Sequence, residues 1–236
     1  MVCSEERQAL EYLSRNMMHN IGMIRPIERG TAQILYSGKD GVMLRDSVSG
    51  AVMQSVSDYE TGARLLARAP KAKLYLIHQG FMLDDFRVAV CPNSVFENLT
   101  AVYIGSELMP VRTDMSIEPM DISDLETIGR HYGFSIVDED YIIGRLKAGA
   151  LYGAYVDGEL VGFGGEHEEG SLGMLVILEN HRRKGYAASL VGFGINRQLE
   201  LNLTPFSNIG VENHASIEMH KKLGFTISSD SVWWLF

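Results

Sequence analysis

The run Leu175-Val176-Ile177-Leu178-Glu179-Asn180-His181-Arg182-Arg183-Lys184-Gly185-Tyr186-Ala187 carries the residue types in this chain best suited to chemistry. An apolar stretch with strand character leads into three consecutive cations, then a glycine, then a helical pattern. The first N–H groups of a helix lack partners, and the helix dipole makes that end positive, so an anion is favoured there. Gly185 lets the backbone approach a phosphate with no side chain in the way. Arg182, Arg183 and Lys184 add positive charge to a molecule whose net charge is -9. These residues predict a pyrophosphate site on a strand-to-helix turn. A solvated basic turn after a buried strand is the competing reading, and the local pattern alone does not separate the two.

A second group of polar residues lies just upstream. Glu166-His167-Glu168-Glu169 offers carboxylates that could accept a proton from an amine, directly or through water. Beside Gly170-Ser171 the same run also reads as a solvated hairpin turn. His78, His131 and His181 lack metal-ligand spacing, and no second histidine follows His167-Glu168-Glu169 on a helical face, so no metal is expected. Cys3 and Cys91 are far apart and read as reduced thiols. Gly162-Phe163-Gly164-Gly165 is followed by a hairpin strand rather than a helix, which excludes a dinucleotide fingerprint.

These residues need a framework. The chain has 236 residues, 46% hydrophobic and 22% charged, enough for one large domain or two modest ones with real cores. Its acidic balance argues against a nucleic-acid partner. No secretory pattern opens the sequence and no apolar run is long enough to span a bilayer, so a cytoplasmic protein without a membrane partner is expected. A helix is predicted from Ser4, as N-cap, to His19. Short strands follow at 32–36, 42–44 and 51–53, then a helix from Asp58 to Ala69, a strand at 74–77 and a helix from Met82 to Val88. Met109-Pro110-Val111-Arg112-Thr113 breaks the pattern. It marks a boundary between an N-terminal α/β domain (1–110) and a second domain (114–236). Beyond it, Ile117 opens a strand, Asp121 or Ser123 caps a helix to Tyr132, and Asp138 starts another to Lys147. Asp157-Gly158 between 151–156 and 160–163 is a strong hairpin signal. A strand at 172–178, a helix at 186–201, a strand at 205–211, a helix at 215–223 and closing strands at 225–236 complete a mixed α/β sheet.

Two separated motifs give this second half a family resemblance. Arg182-x-x-Gly185-x-Ala187, after an apolar strand, resembles the R/Q-x-x-G-x-G/A signature of the GNAT N-acetyltransferase superfamily. Asn213-His214-Ala215-Ser216-Ile217-Glu218-Met219-His220-Lys221-Lys222-Leu223-Gly224-Phe225 is similar to the family's other signature, with Asn213, Gly224 and Phe225 in register. The resemblance covers about half the chain. The extra N-terminal unit and the ending Trp233-Trp234-Leu235-Phe236 further resemble the glycine N-acyltransferase-like branch, in which a degenerate GNAT-like half precedes the working one.

The resemblance implies an α/β (α+β) fold: a mixed, mostly antiparallel sheet flanked by helices. It implies transfer of an acetyl or other acyl group from acetyl-CoA to a primary amine of a small molecule or amino acid, by direct attack in a ternary complex. In that scheme Val176, Ile177 and Leu178 pair with the pantetheine arm. Arg182, Arg183, Lys184, Gly185, Tyr186 and Ala187 hold the diphosphate, and Asn213 and Ser216 complete the cofactor set. An amide of Ile177 or Leu178 steadies the oxyanion. Glu168 and Glu169 are the candidate bases. Some relatives carry a glutamate eleven residues before the Arg182 position, where this chain has Ser171, so that assignment does not transfer. His220 replaces the usual tyrosine acid. Tyr132, Phe134 and Tyr141 fall on the acceptor side, and a homodimer is carried as an expectation. The alternative is a non-catalytic CoA-binding or regulatory module.

Overall fold

The computed structural model describes residues 3–133 and 138–236; Phe134 lies outside the described residues. Helices α1 (Ser4–Leu13) and α2 (Met17–Glu28) precede strands β1 (Ala32–Ser37), β2 (Gly41–Asp46) and β3 (Val52–Val56). Next come α3 (Tyr59–Leu66), β4 (Tyr75–Ile77), α4 (Leu83–Val90), β5 (Val95–Val102) and β6 (Ser116–Pro119). The chain continues through α5 (Leu125–Ile128), α6 (Glu139–Lys147), β7 (Leu151–Val156), β8 (Glu159–Glu166) and β9 (Leu172–Ile177). It ends with α7 (Tyr186–Glu200), β10 (Phe206–Gly210), α8 (His214–Lys222) and β11 (Thr226–Leu235). This is the mixed, mostly antiparallel α/β architecture expected from the sequence.

Packing divides the chain discontinuously, where the sequence reading divides it once. One compact unit holds Met1–Val102 with Asn208–Lys221 and Phe225–Phe236. The other holds Tyr103–Ser207 with Lys222–Gly224.

The first unit is built on a seven-stranded sheet of order β1-β2-β3-β4-β11-β5-β10. β1, β2 and β3 form an antiparallel meander, and β3 runs parallel to β4. The last strand, β11, inserts between β4 and β5, pairing Trp234 with Leu76 on one side and with Phe96 on the other. Leu235 thereby joins Met43, Val52, Leu65, Ile77, Met82 and Phe86 in a single apolar cluster.

Three expectations for this unit need correction. Cys3, not Ser4, caps α1: its Sγ accepts from Glu6 N at 3.4 Å, and Glu6 Oε2 accepts from Cys3 N at 2.7 Å. The helical path does not end at His19, because α2 continues through Pro26 in its last turn. Residues 19–27 are all buried, and that packing outweighs the hydrogen bond proline cannot make. β5 was not expected at all. Glu97-Asn98 interrupts its apolar pattern, and it is a strand because β11 and β10 flank it on both sides.

The second unit carries a four-stranded sheet of order β6-β7-β8-β9, antiparallel throughout. Ile128, Ile142, Leu151, Phe163 and Met174 form one core cluster; Met115, Ala154, Val161, Tyr186 and Leu190 form another. The expected helix from 121 to 132 is broken into a 3-10 turn, the short α5 and a π-helical turn. The helix expected to start at Asp138 is α6, and Asp138 is its N-cap, its Oδ1 accepting from Tyr141 N at 2.7 Å. The glycines of β8 have a packing reason. A Cβ at Gly165 would fall 1.9 Å from the Ala150 carbonyl oxygen, and one at Gly162 would fall 2.5 Å from that of Val176. Among the described residues no helix is long and apolar enough to cross a membrane.

Candidate acyl-donor site

Among the described residues β9 lies at the edge of its sheet and pairs with β8 alone, so its outer amides and carbonyls have no strand partner there. Its course is not regular. Met174 takes φ +52°, and the register with β8 slips between Phe163 and Gly165, so one extra residue bulges on β9. A bulge re-aims the backbone groups on the open side of the strand. Val176 packs on the first core cluster of the unit and Ile177 on the second, which fixes the strand from both sides.

Past Leu178 a 3-10 turn at Glu179–His181 leads into the basic segment. Arg182 donates from Nε to the Ile177 carbonyl at 3.2 Å, so this side chain braces the strand end. Arg183 and Gly185 both take left-handed conformations, φ +61° and +89°. Gly185 is the N-cap of α7 and supplies no side-chain cap. The first N–H in the helix with a backbone acceptor is that of Ser189, bonded to Gly185 O at 3.2 Å. Among the described residues, the backbone N–H groups of Arg183 to Ala188 have no backbone acceptor. An anion is the partner such a turn can take. The contrast with α3 is instructive. There Asp58 places its carboxylate on Thr61 N at 2.8 Å and Glu60 adds a negative charge to the first turn, which leaves no place for a phosphate.

The acidic hairpin at the other end of β9 is a dense polar cluster. Glu169 is buried and accepts from the Ser171 hydroxyl. Glu168 pairs with Arg145 of α6 at 3.8 Å. His167 Nδ1 lies 2.7 Å from Tyr141 Oη. Burial, reinforced by the Glu169 charge, pushes the Tyr141 phenol far above its ordinary value and raises that of Tyr132 as well. Both phenols are therefore neutral donors at physiological pH. Sequence reasoning placed these tyrosines on the acceptor side but had no signal for the Tyr141–His167 bond, which joins residues far apart in the chain.

Asn213, Ser216 and His220 belong to the first unit, whereas Val176–Ala187, Glu168 and Glu169 belong to the second. Asn213 Oδ1 accepts from Ser216 N at 3.1 Å, the work of a helix N-cap for α8. His220 is buried, and its Nδ1 lies 2.8 Å from the Ser216 carbonyl. A carbonyl only accepts, so Nδ1 carries the hydrogen. Burial lowers the His220 pKa, and the bond to Ser216 offsets this only in part. The ring is consequently neutral at physiological pH.

An edge strand with a bulge thus leads into a helix whose first turn has no side-chain cap. Residues 151–234 match the family model for FR47-like protein. A Drosophila protein solved by X-ray diffraction is 12% identical with a TM-score of 0.74, covering 99% of this chain and 96% of that one. A GCN5-related N-acetyltransferase-like protein from Streptococcus suis is 13% identical with a TM-score of 0.55, covering 96% and 99%. A tandem GNAT protein from the clavulanic acid biosynthesis pathway is 15% identical with a TM-score of 0.50, covering 97% and 93%. No match is found among curated proteins. At these identities the structural likeness carries the fold alone. The family model covers residues 151–234, and the fold over the whole chain is like that of these GNAT proteins. Neither reaches the glycine N-acyltransferase-like branch.

Proposed function

We propose that this protein is an N-acyltransferase that passes an acetyl or related acyl group from acetyl-CoA to a primary amine of a small molecule or amino acid. The observation that carries the reading is the run of unpartnered amides from Arg183 to Ala188, at a left-handed turn between an edge strand and α7. The diphosphate of the donor takes these amides, with Arg183 and Lys184 adding charge. The pantetheine arm adds to the open edge of β9 at Val176–Leu178, and an amide near the strand end stabilises the oxyanion as the amine attacks the thioester carbonyl.

The amine must arrive neutral. Glu169 is the favoured acceptor of its proton, directly or through water, because Glu168 is engaged by Arg145. The hairpin that holds both carboxylates begins where β9 starts. The turn at Arg183 lies at the strand's other end, about 17 Å away at the usual rise per residue. A bound donor stretched along β9 would point its thioester toward that hairpin. His220 is a poor acid in this scheme: its one hydrogen is held by Ser216 O, so it would need a second proton to protonate a thiolate. The CoA thiolate is a tolerable leaving group and departs without it. Asn213 and Ser216 are proposed as cofactor contacts on the family pattern alone.

Release of free thiol from acetyl-CoA, measured across a panel of primary amines, tests the reading. Turnover that is lost in Glu169→Gln with coenzyme A binding retained supports it. A wild-type protein that gives no calorimetric heat with coenzyme A and no thiol release removes it.

A further inference from the structure

The segment that reads as a domain boundary in the sequence is fastened along α7 in the second unit. Met109 N donates to Asn196 Oδ1 at 2.7 Å, and Asn196 Nδ2 returns a bond to Met109 O at 2.9 Å. Gly192 admits the strap closely, since a Cβ there would lie 3.2 Å from Met109 Cβ. Arg112 N donates to Ser189 Oγ at 3.4 Å. Ser189, Gly192 and Asn196 are spaced by three and four, so they share one face of the helix. This row of anchors delivers the Arg112 side chain to the N-terminus of α7.

There the guanidinium makes three contacts. Its Nη1 donates to the Lys184 carbonyl at 3.1 Å, its carbon stands 5.1 Å from the centre of the Tyr186 ring, and Nε and Nη2 pair with Asp114. Lys184 is flanked by the two left-handed residues Arg183 and Gly185. Such a conformation at a non-glycine residue persists only where the surroundings hold it. In a trans peptide the carbonyl and the N–H point in opposite directions. Pinning the Lys184 carbonyl on Arg112 therefore turns the Gly185 N–H the other way, with the unpartnered amides that follow it.

We propose that Arg112 is a positioning residue of the acyl-donor site, holding the Lys184–Gly185 peptide so that its N–H faces the donor's diphosphate. The inference rests on the acyl-CoA reading above. Arg112 acts through the turn and not by contact with the donor, since Asp114 already offsets its charge.

The test is calorimetric titration of the full chain with coenzyme A, and with pantetheine, which lacks the diphosphate, followed by ligand-observed NMR. R112A is expected to weaken coenzyme A about tenfold or more, while pantetheine affinity stays within about twofold and R112K falls between. The salt dependence of coenzyme A binding stays as in the wild type, because no direct ion pair is lost. Should R112A fail to fold, R112M is read the same way, since its stem still covers Tyr186. Wild-type affinity in the variants, equal loss for both ligands, or a flattened salt dependence would each overturn the inference. A wild type that binds no coenzyme A would instead remove the acyl-CoA reading beneath it.

Discussion

Replacing Gly185 with alanine isolates the conformational demand of the turn. Gly185 sits at φ +89°, and a Cβ there would meet only Arg112 Nη1, at 3.7 Å, an ordinary contact. No steric clash contributes, so what remains is the cost of holding an L-residue in the left-handed region, about 1–2 kcal/mol. That cost divides between two observables. If the free turn keeps its shape, the whole amount appears as lost stability and coenzyme A affinity is unchanged. If the free turn relaxes, stability is retained and binding must restore the shape, weakening affinity about 5- to 30-fold. Urea unfolding gives the first quantity and calorimetric titration with coenzyme A gives the second. Their sum is expected to be about 1–2 kcal/mol whichever way it divides. A sum below about 0.5 kcal/mol would refute the left-handed turn, because alanine costs nothing in right-handed geometry. A sum above about 3 kcal/mol would refute the reasoning from the other side, since the methyl would then be meeting the ligand.

Gln54 is buried at 1% exposure, and neither polar atom of its amide has a hydrogen-bond partner among the described residues. Gln54→Met is therefore expected to stabilise the protein by about 1–3 kcal/mol in urea unfolding, and destabilisation would mean that the amide is bound. Burial, with His19 adding to it, holds the His78 pKa at about 3 against an ordinary 6.5. Between those values the unfolded chain binds a proton that the folded chain refuses. Stability should thus fall as pH falls through that window, by at most about 1.4 kcal/mol per pH unit. Unfolding midpoints of H78Q across the window should show a shallower slope, and an equal slope would count against the assignment. Tyr141→Phe removes the partner of His167 Nδ1 and of the Glu168 backbone, and is expected to cost about 1–3 kcal/mol in the same urea assay; a loss under about 0.5 kcal/mol would show the bond to be unmade.

Local features were readable wherever the physics is local. The Asp157-Gly158 hairpin, the helix starts at Asp58 and Asp138 and the glycine at the head of α7 depend on backbone preferences and bonds within a few residues. β5 is missed and α2 is cut short for the same reason in reverse. Glu97-Asn98 and Pro26 contradict their elements locally, and only burial and pairing elsewhere decide in favour of strand and helix. Within the site, the cationic run was visible but the division of labour was not. Arg182 braces Ile177 and Arg112 holds Lys184, two bonds across turns that no spacing rule marks.

By itself the sequence determined the strand, basic turn and glycine-headed helix of the candidate site, because φ/ψ preferences and short-range hydrogen bonds are set by neighbouring residues. Only the tertiary structure decided that β11 enters the sheet between β4 and β5, that Glu169 is buried, and that residues 109–112 fasten along α7 and reach the Lys184 carbonyl. Each of these brings together groups distant in the chain, and which distant surfaces meet is settled by the burial of the whole core.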